Sequence, residues 1–360
     1  MFPEWTSLVG FWVGATIGSF LNVVIYRLPR GLSIGQPRNS FCPNCKNQLS
    51  WGELIPILSW LFQRGKCKQC GVKISPRYLV VELVNGLFWA VIWHQHLVLG
   101  QYNSGSEVVK AVGFMCFASA LLVAICTDIQ YYIIPDEVNA MMLAIGLAMN
   151  VAFVSLHDPV AWAGRWPSSV LGALVGVGVL WGIAFLGLVI FRKDAMGHGD
   201  IKMARGIGAV LLWQSALASF GIAVGLGAVF GILMIFLRKG IEARAEAKAR
   251  ELAAASGGDY KPQEEEDDEP YEPESIGSLL FCGLGYVLCI DVIGLFIPRL
   301  YEWWFKENPR STEEIEDQPE VEPTMIPFGP YLAAGALVAM VFAGPLDQAM
   351  QAYIRYMSGK

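Results

Sequence analysis

Charge is scarce in this 360-residue chain. Asp, Glu, Lys and Arg make up 16% of it and hydrophobic residues 54%, whereas soluble domains carry about 25% charged residues. That shortage excludes an ordinary water-soluble globule. Positive charge is not in excess either: the formal net charge is −6, and the acids cluster in two late segments. A basic nucleic-acid surface therefore finds no support. No internal repeat is visible. The opening "MFPEW" lacks a basic n-region, and no small-residue cleavage site follows the first apolar run. That run is expected to stay as a helix rather than be removed as a signal peptide.

Long apolar runs are present. Stretches of roughly 18 or more such residues read as membrane-spanning helices. Candidates lie at 7–26, 78–99, 108–126, 137–156, 168–191, 205–237, 276–299 and 328–347. The stretch 205–237 is too long for one span. As a single helix it would extend about 50 Å, against a hydrocarbon core of about 30 Å. Two helices broken near "WQSALASFG" are expected instead. The twelve Trp and 38 Gly fit interfacial anchoring and close helix packing.

Orientation follows from the basic residues. Between the first two runs stand Arg27, Arg30, Arg38, Lys46, Arg64, Lys66, Lys68, Lys73 and Arg77, with Glu53 the one acid. The loops near 100–107 and 157–167 hold only Arg165. The positive-inside rule puts 27–77 in the cytoplasm and the N-terminus outside. The chain divides into a first transmembrane helix (1–26), the basic loop (27–77), a helix bundle (78–240), an acidic insertion (241–325) and a closing helix with the C-terminus (326–360). Within the insertion, "PQEEEDDEPYEPE" cannot bury apolar surface and reads as disordered.

The basic loop carries two C-x2-C pairs, Cys42/Cys45 and Cys67/Cys70. A two-residue gap lets both thiolates of a knuckle face one ion, and four thiolates complete a tetrahedral shell. The loop has too few apolar residues to fold alone, so a structural Zn2+ is expected to staple it. A cytoplasmic address argues against disulfides. Sulfur fills all four positions and leaves none for a reactive water. The expected fold class is thus an all-α polytopic membrane protein with about eight transmembrane helices and a small cytoplasmic zinc-binding loop domain after the first helix.

Acids at helix edges carry the chemistry. "ICTDIQYYIIPDEVN" places Asp128 and Asp136 after one apolar run, and "RKDAMGHGDIK" places Asp194 and Asp200 after another. Charge inside a membrane is costly and usually functional. Two carboxylates that share a water can hydrolyse a peptide bond if one holds a proton while the other is ionised. Asp128 and Asp136 are about 12 Å apart along one helix, too far to share a water. Asp128 and Asp200 end helices on the same side and can converge. Gly197 and Gly199 are expected to interrupt the helix and let backbone approach an extended substrate. His198 reads as a spacer facing water. Lys202 reads as a partner of a lipid headgroup or of Asp200, or as a snorkelling side chain. Asp136 and Asp194 read as helix caps or exposed loop acids.

Several stretches together resemble the bacterial prepilin peptidases, the GxGD class of membrane aspartic proteases. They are "GSFLNVVIYRLPR" at 18–30, "LIPILSWL" at 54–61, "TDIQYYIIPD", "GHGDIKMARGIGAVLLW" and "IPFGPYLAAGALVA" at 326–339. The resemblance implies that Asp128 and Asp200 are the catalytic pair, that Gly197 and Gly199 are the motif glycines, and that the cysteines form the family's zinc loop. It implies cleavage of short basic leaders from type IV prepilins or type II secretion pseudopilins. The cut falls after a glycine, on the cytoplasmic side of the bacterial inner membrane. Methylation of the new N-terminus with S-adenosylmethionine is implied as a second activity. No nucleotide-binding Gly loop is visible for it; Gly18, Asn22, Arg27 and Glu53 are the candidates. The chain departs from the family pattern over about 240–325, where "IGSLLFCGLGYVLCIDVIGLF" intervenes. If that segment spans, Pro327–Pro330 land on the far side; a re-entrant or surface-lying segment, or a different count across 205–237, keeps them near. Two other readings stand beside the protease: an ion- or proton-coupled transporter using Asp128, Asp200 and Asp291, and a zinc-dependent assembly factor without chemistry.

Overall fold

The computed structural model describes residues 2–37, 39–42, 44–100, 105–194, 196–256, 274–306 and 327–342. The acidic stretches expected within 241–325 fall mostly at 257–273 and 307–326, outside the described residues, as does most of the C-terminus, 343–360. The chain is almost wholly helical: α1 (Thr6–Arg27), α2 (Leu58–Phe62), α3 (Arg77–Trp93), α4 (Gly105–Tyr131), α5 (Asp136–Ser155), α6 (Ser168–Phe191), α7 (His198–Ser256), α8 (Ile276–Val287), α9 (Ile290–Gly294), α10 (Pro298–Phe305) and α11 (Gly329–Val341). Between α5 and α6 a short antiparallel pair, β1 (Trp162–Ala163) and β2 (Trp166–Pro167), closes the connection.

Helices dominate because an apolar run in lipid must satisfy each backbone N–H within itself. Among the described residues α1, α4, α5, α6 and the 198–234 part of α7 are long and apolar enough to cross a membrane. The expected span 78–99 is helical throughout, as α3 followed by a π-helical turn over His94–Val98.

The stretch 205–237 is two helices, as its length requires. Leu212 leaves helical geometry at φ 62 and ψ 167. Contacts show that the chain turns back there. Gly199 abuts Ile134, Gly329 abuts Ile134 and Asp128, and Gly227 abuts Phe328. A straight helix would hold residues 199 and 227 about 42 Å apart. The reversal instead returns Gly227 to the end of the bundle where it began.

The expected span at 276–299 does not form. Cys289 adopts a left-handed conformation and Pro298 opens a new helix, so the run breaks into α8, α9 and α10. Twelve residues of α8 reach about 18 Å, well short of the hydrocarbon thickness. The segment stays at one end of the bundle, and α11 starts beside Asp128. The conflict over Pro327–Pro330 disappears.

Small residues allow the closest approaches. Gly172 and Gly176 on α6 meet the backbones of Gly208 and Ala204 on α7, a four-residue spacing that brings two helix backbones into contact. Gly10, Gly14 and Gly18 on α1 meet Trp93, Trp89 and Glu82 on α3 in the same way, and Asn85 Nδ2 donates to the Gly14 carbonyl at 2.7 Å. At the end of α1, Arg30 donates to the Tyr131 hydroxyl at 2.7 Å. The basic loop therefore sits at the same end of the bundle as the end of α4.

Candidate active site

Asp128 lies in the last turn of α4 and is buried. Tyr132, just beyond, takes a left-handed φ of 54 and ends the helix. The backbone N–H of Gly329 points at the Asp128 carboxylate. A Cβ at Gly329 would strike Oδ2, so only glycine permits this approach. Oδ2 itself has no hydrogen-bond partner.

Asp200 arrives from the first turn of α7. The described residues 192–194 and 196–197 are irregular, and the chain becomes helical at His198. The Gly197 carbonyl accepts from the N–H groups of Asp200 at 3.1 Å and Ile201 at 3.4 Å. Gly197 thus sits at the expected interruption. Gly199 does not: it lies inside the first helical turn, where a Cβ would come within 3.4 Å of Ile134. It faces the turn that follows Asp128 at ordinary van der Waals distance. The Asp200 Oδ1 atom is buried without a partner, and the two turns meet at Ile134, which lies against Gly199 beside Asp200 and against Gly329 beside Asp128. Buried carboxylate oxygens normally find partners. Two that do not, on one another's doorstep, form a site able to hold a polar reactant such as water.

The neighbouring polar residues are all engaged, in ways that differ from expectation. Lys202 does not hold Asp200. Its ammonium binds Asp136 Oδ1 at 2.7 Å and Oδ2 at 2.9 Å. The side chain is buried, so it does not snorkel. Asp136 is accordingly more than a cap, and it also accepts from the Tyr301 hydroxyl at 2.9 Å. His198 is not a spacer: Nε2 lies 3.1 Å from Glu274 Oε2 and Nδ1 2.9 Å from the Tyr286 hydroxyl. Asp194 accepts from the Glu274 N–H at 3.3 Å. Asp291 forms a buried, two-pronged ion pair with Arg205, at 2.8 Å and 2.5 Å. A cavity of about 470 Å³ opens beside Gly197, lined by Asp194, Met196, His198, Glu274 and Ser278.

The sequence reading missed Arg205, Tyr286 and Tyr301. One signal pointed to the first: His198, Lys202 and Arg205 recur at helical spacing on one stripe of an apolar helix. Charges there need buried partners.

The four cysteines converge. The Sγ atoms of Cys42, Cys45, Cys67 and Cys70 all lie within 4.8 Å of one another. Two matching knuckles present them. Phe41 bridges to Gln48 around the first and Lys66 to Lys73 around the second. Lys46 and Gly71, each just past a second cysteine, take left-handed φ values of 56 and 71. This cluster can bind a metal ion. A tetrahedral zinc with bonds of about 2.3 Å sets sulfurs roughly 3.8 Å apart, close to the 3.9 Å between Cys42 and Cys70.

The four residues considered for methyl transfer each have local partners. Gly18 packs on Glu82. Asn22 donates to the Tyr78 carbonyl at 3.1 Å. Buried Arg27 holds the carbonyls of Ser33, Ile34 and Pro37. Glu53 closes a capping box on Ser50.

Comparison with known proteins identifies relatives. Residues 12–96 match the model of the bacterial peptidase A24 N-terminal domain, and residues 115–232 match that of the type IV leader peptidase family. The chain is 32% identical to a prepilin leader peptidase/N-methyltransferase of Myxococcus xanthus, over 97% of this chain and 94% of that one. A protein of the same name from Klebsiella pneumoniae is 34% identical over 59% of this chain and 87% of its own. One from Stutzerimonas stutzeri is 32% identical over 63% and 80%. No solved structure matches the chain.

Proposed function

This chain belongs to the type IV leader peptidase family, and from that premise we propose that Asp128 and Asp200 cut the leader from prepilins. The protein is a membrane-embedded endopeptidase. The observation that carries the residue assignment is the pair of buried carboxylates, one from α4 and one from α7, each with an unpartnered oxygen.

The chemistry follows from their pairing. One carboxylate, ionised, takes a proton from a shared water. The other, protonated, donates to the scissile carbonyl, and the water oxygen attacks its carbon. The proton then passes to the leaving amine. The pair titrates as a unit, so the two roles belong to the dyad rather than to either residue. Gly329 keeps the approach to Asp128 open, and the backbone at Gly197 offers an extended substrate a surface without side chains.

The substrates under this reading are type IV prepilins or type II secretion pseudopilins, cut after a glycine. The loop 28–76 and the dyad face the cytoplasm of the inner membrane, supported by the concentration of Lys and Arg in that loop. The cysteine cluster holds a structural Zn2+, which would tie the two knuckles together. The relatives' names join cleavage to N-methylation, and we carry that second activity to this chain, with Gly18, Asn22, Arg27 and Glu53 as its candidate residues. A transporter finds no support: the family model and the relatives' names are those of peptidases.

The test is cleavage of a purified prepilin in detergent, followed by mass spectrometry of the product. Asp128→Asn and Asp200→Asn should each abolish it. Full cleavage by either variant would end the assignment.

A further inference from the structure

Successive residues of a helix are rotated by about 100°, so Lys202 lies on nearly the opposite side of α7 from Asp200. His198 and Arg205 share that rear face. Residues 274–306 supply partners to all three: Glu274 and Tyr286 to His198, Tyr301 to Lys202, and Asp291 with the Tyr286 carbonyl to Arg205.

We infer that segment 274–306 is a brace that sets the rotation of the Asp200-bearing turn, and that Tyr301 is a positioning residue acting through Lys202 and Asp136. The inference rests on Asp200 belonging to the catalytic pair.

The linkage is short. Asp136 opens α5 directly after the turn that begins at the end of the Asp128 helix, and Ile134 in that turn touches both Gly199 and Gly329. Lys202 is two residues past Asp200. The Lys202–Asp136 bond therefore ties the two aspartate-bearing turns to each other. Tyr301 completes the tie, donating to Asp136 Oδ2 at 2.9 Å while its oxygen lies 3.4 Å from the Lys202 ammonium. The ammonium is also ringed by Tyr286, Tyr301 and Phe305, at 5.3, 5.7 and 5.8 Å from the ring centroids. All three rings belong to the segment. A buried ammonium is tolerated only with such partners. The turn needs this hold, because it opens α7 directly after non-helical Met196 and Gly197 and helix ends open readily.

The test uses the full chain, a prepilin substrate and separate kcat and KM. Tyr301→Phe removes one hydroxyl and keeps the ring over Lys202. Small misplacement of a reacting group lowers turnover steeply, so kcat should fall roughly tenfold, with KM within about twofold and an unchanged unfolding midpoint. Lys202→Met should lose more, and Lys202→Arg should regain part of the loss. An unchanged kcat in Tyr301→Phe, a defect confined to KM, or a loss that merely tracks the folded fraction would overturn the brace. Asp200→Asn, run in parallel, separates the two readings. If it still cleaves, the catalytic assignment fails. If it is dead while Tyr301→Phe is unimpaired, only the brace fails.

Discussion

Replacing Asp291 with Ala should loosen the whole 274–306 segment. Asp291 and Arg205 are each 2% exposed, and Arg205 lies about 7.5 Å further along its helix than Asp200. The substitution removes both carboxylate bonds and leaves the guanidinium with the Tyr286 carbonyl at 2.7 Å. The Arg205 Nε atom already lacks a partner. Removing one member of a buried pair costs about 3–5 kcal/mol, chiefly by stranding the other charge. That is roughly a 150- to 5,000-fold increase in the population of the undocked segment. Hydrogen exchange of the α8 amides in detergent micelles reads this directly, since docking protects them. The double replacement Arg205→Met with Asp291→Leu should recover most of the protection, because apolar residues of similar volume often substitute for a buried pair without loss. Protection in α8 that stays within about threefold of the parent in Asp291→Ala, or a double variant as open as the single, would refute the reasoning.

The other predictions concern separate parts of the molecule. Cys42→Ser or Cys67→Ser should lower bound zinc, measured by elemental analysis of the purified chain, and reduce folded yield; an unchanged metal content would contradict the zinc assignment. Gly208→Ala should destabilise the bundle by about 1–3 kcal/mol, because a Cβ there meets the Gly172 carbonyl; a thermal unfolding midpoint equal to the parent's would count against that contact. The Ser50 N–H, then the Ser50 hydroxyl, hold the Glu53 carboxyl below the usual carboxylate range. A depressed folded pKa contributes stability above the ordinary Glu pKa and loses it as pH falls through the lowered value. Local order around residues 50–54, followed by NMR, should therefore decline with acid in the parent and respond less in Glu53→Gln.

Much of the fold was legible because membrane helices write themselves in length and hydropathy. The break in 205–237 followed from length alone, and Leu212 sits at the edge of the stretch expected to hold it. The cysteine knuckles and the two aspartates stood out because their residue types are expensive in their settings. What sequence could not supply was partnership. Lys202 shows one free charge in the sequence, yet its partner is 66 residues away and its aromatic ring of contacts comes from a later segment. Whether the 276–299 run spans stayed open, because hydropathy counts apolar residues and is blind to a left-handed Cys289. Gly199 was read as a helix breaker, whereas it lies inside the first turn of α7.

The reversal at Leu212 makes the molecule one-sided. It returns the chain to its starting face, so the cysteine knuckles, residues 192–194 and 196–197, α8 to α10 and the beginning of α11 gather together. At the opposite face the described residues place the Trp162–Pro167 hairpin with exposed His157 and Arg165, and the His96–Glu107–Lys110 cluster. A membrane-impermeant amine reagent would therefore meet exposed Lys66, Lys68 and Lys73 from the side of the knuckles and, among the described lysines, half-buried Lys110 from the other.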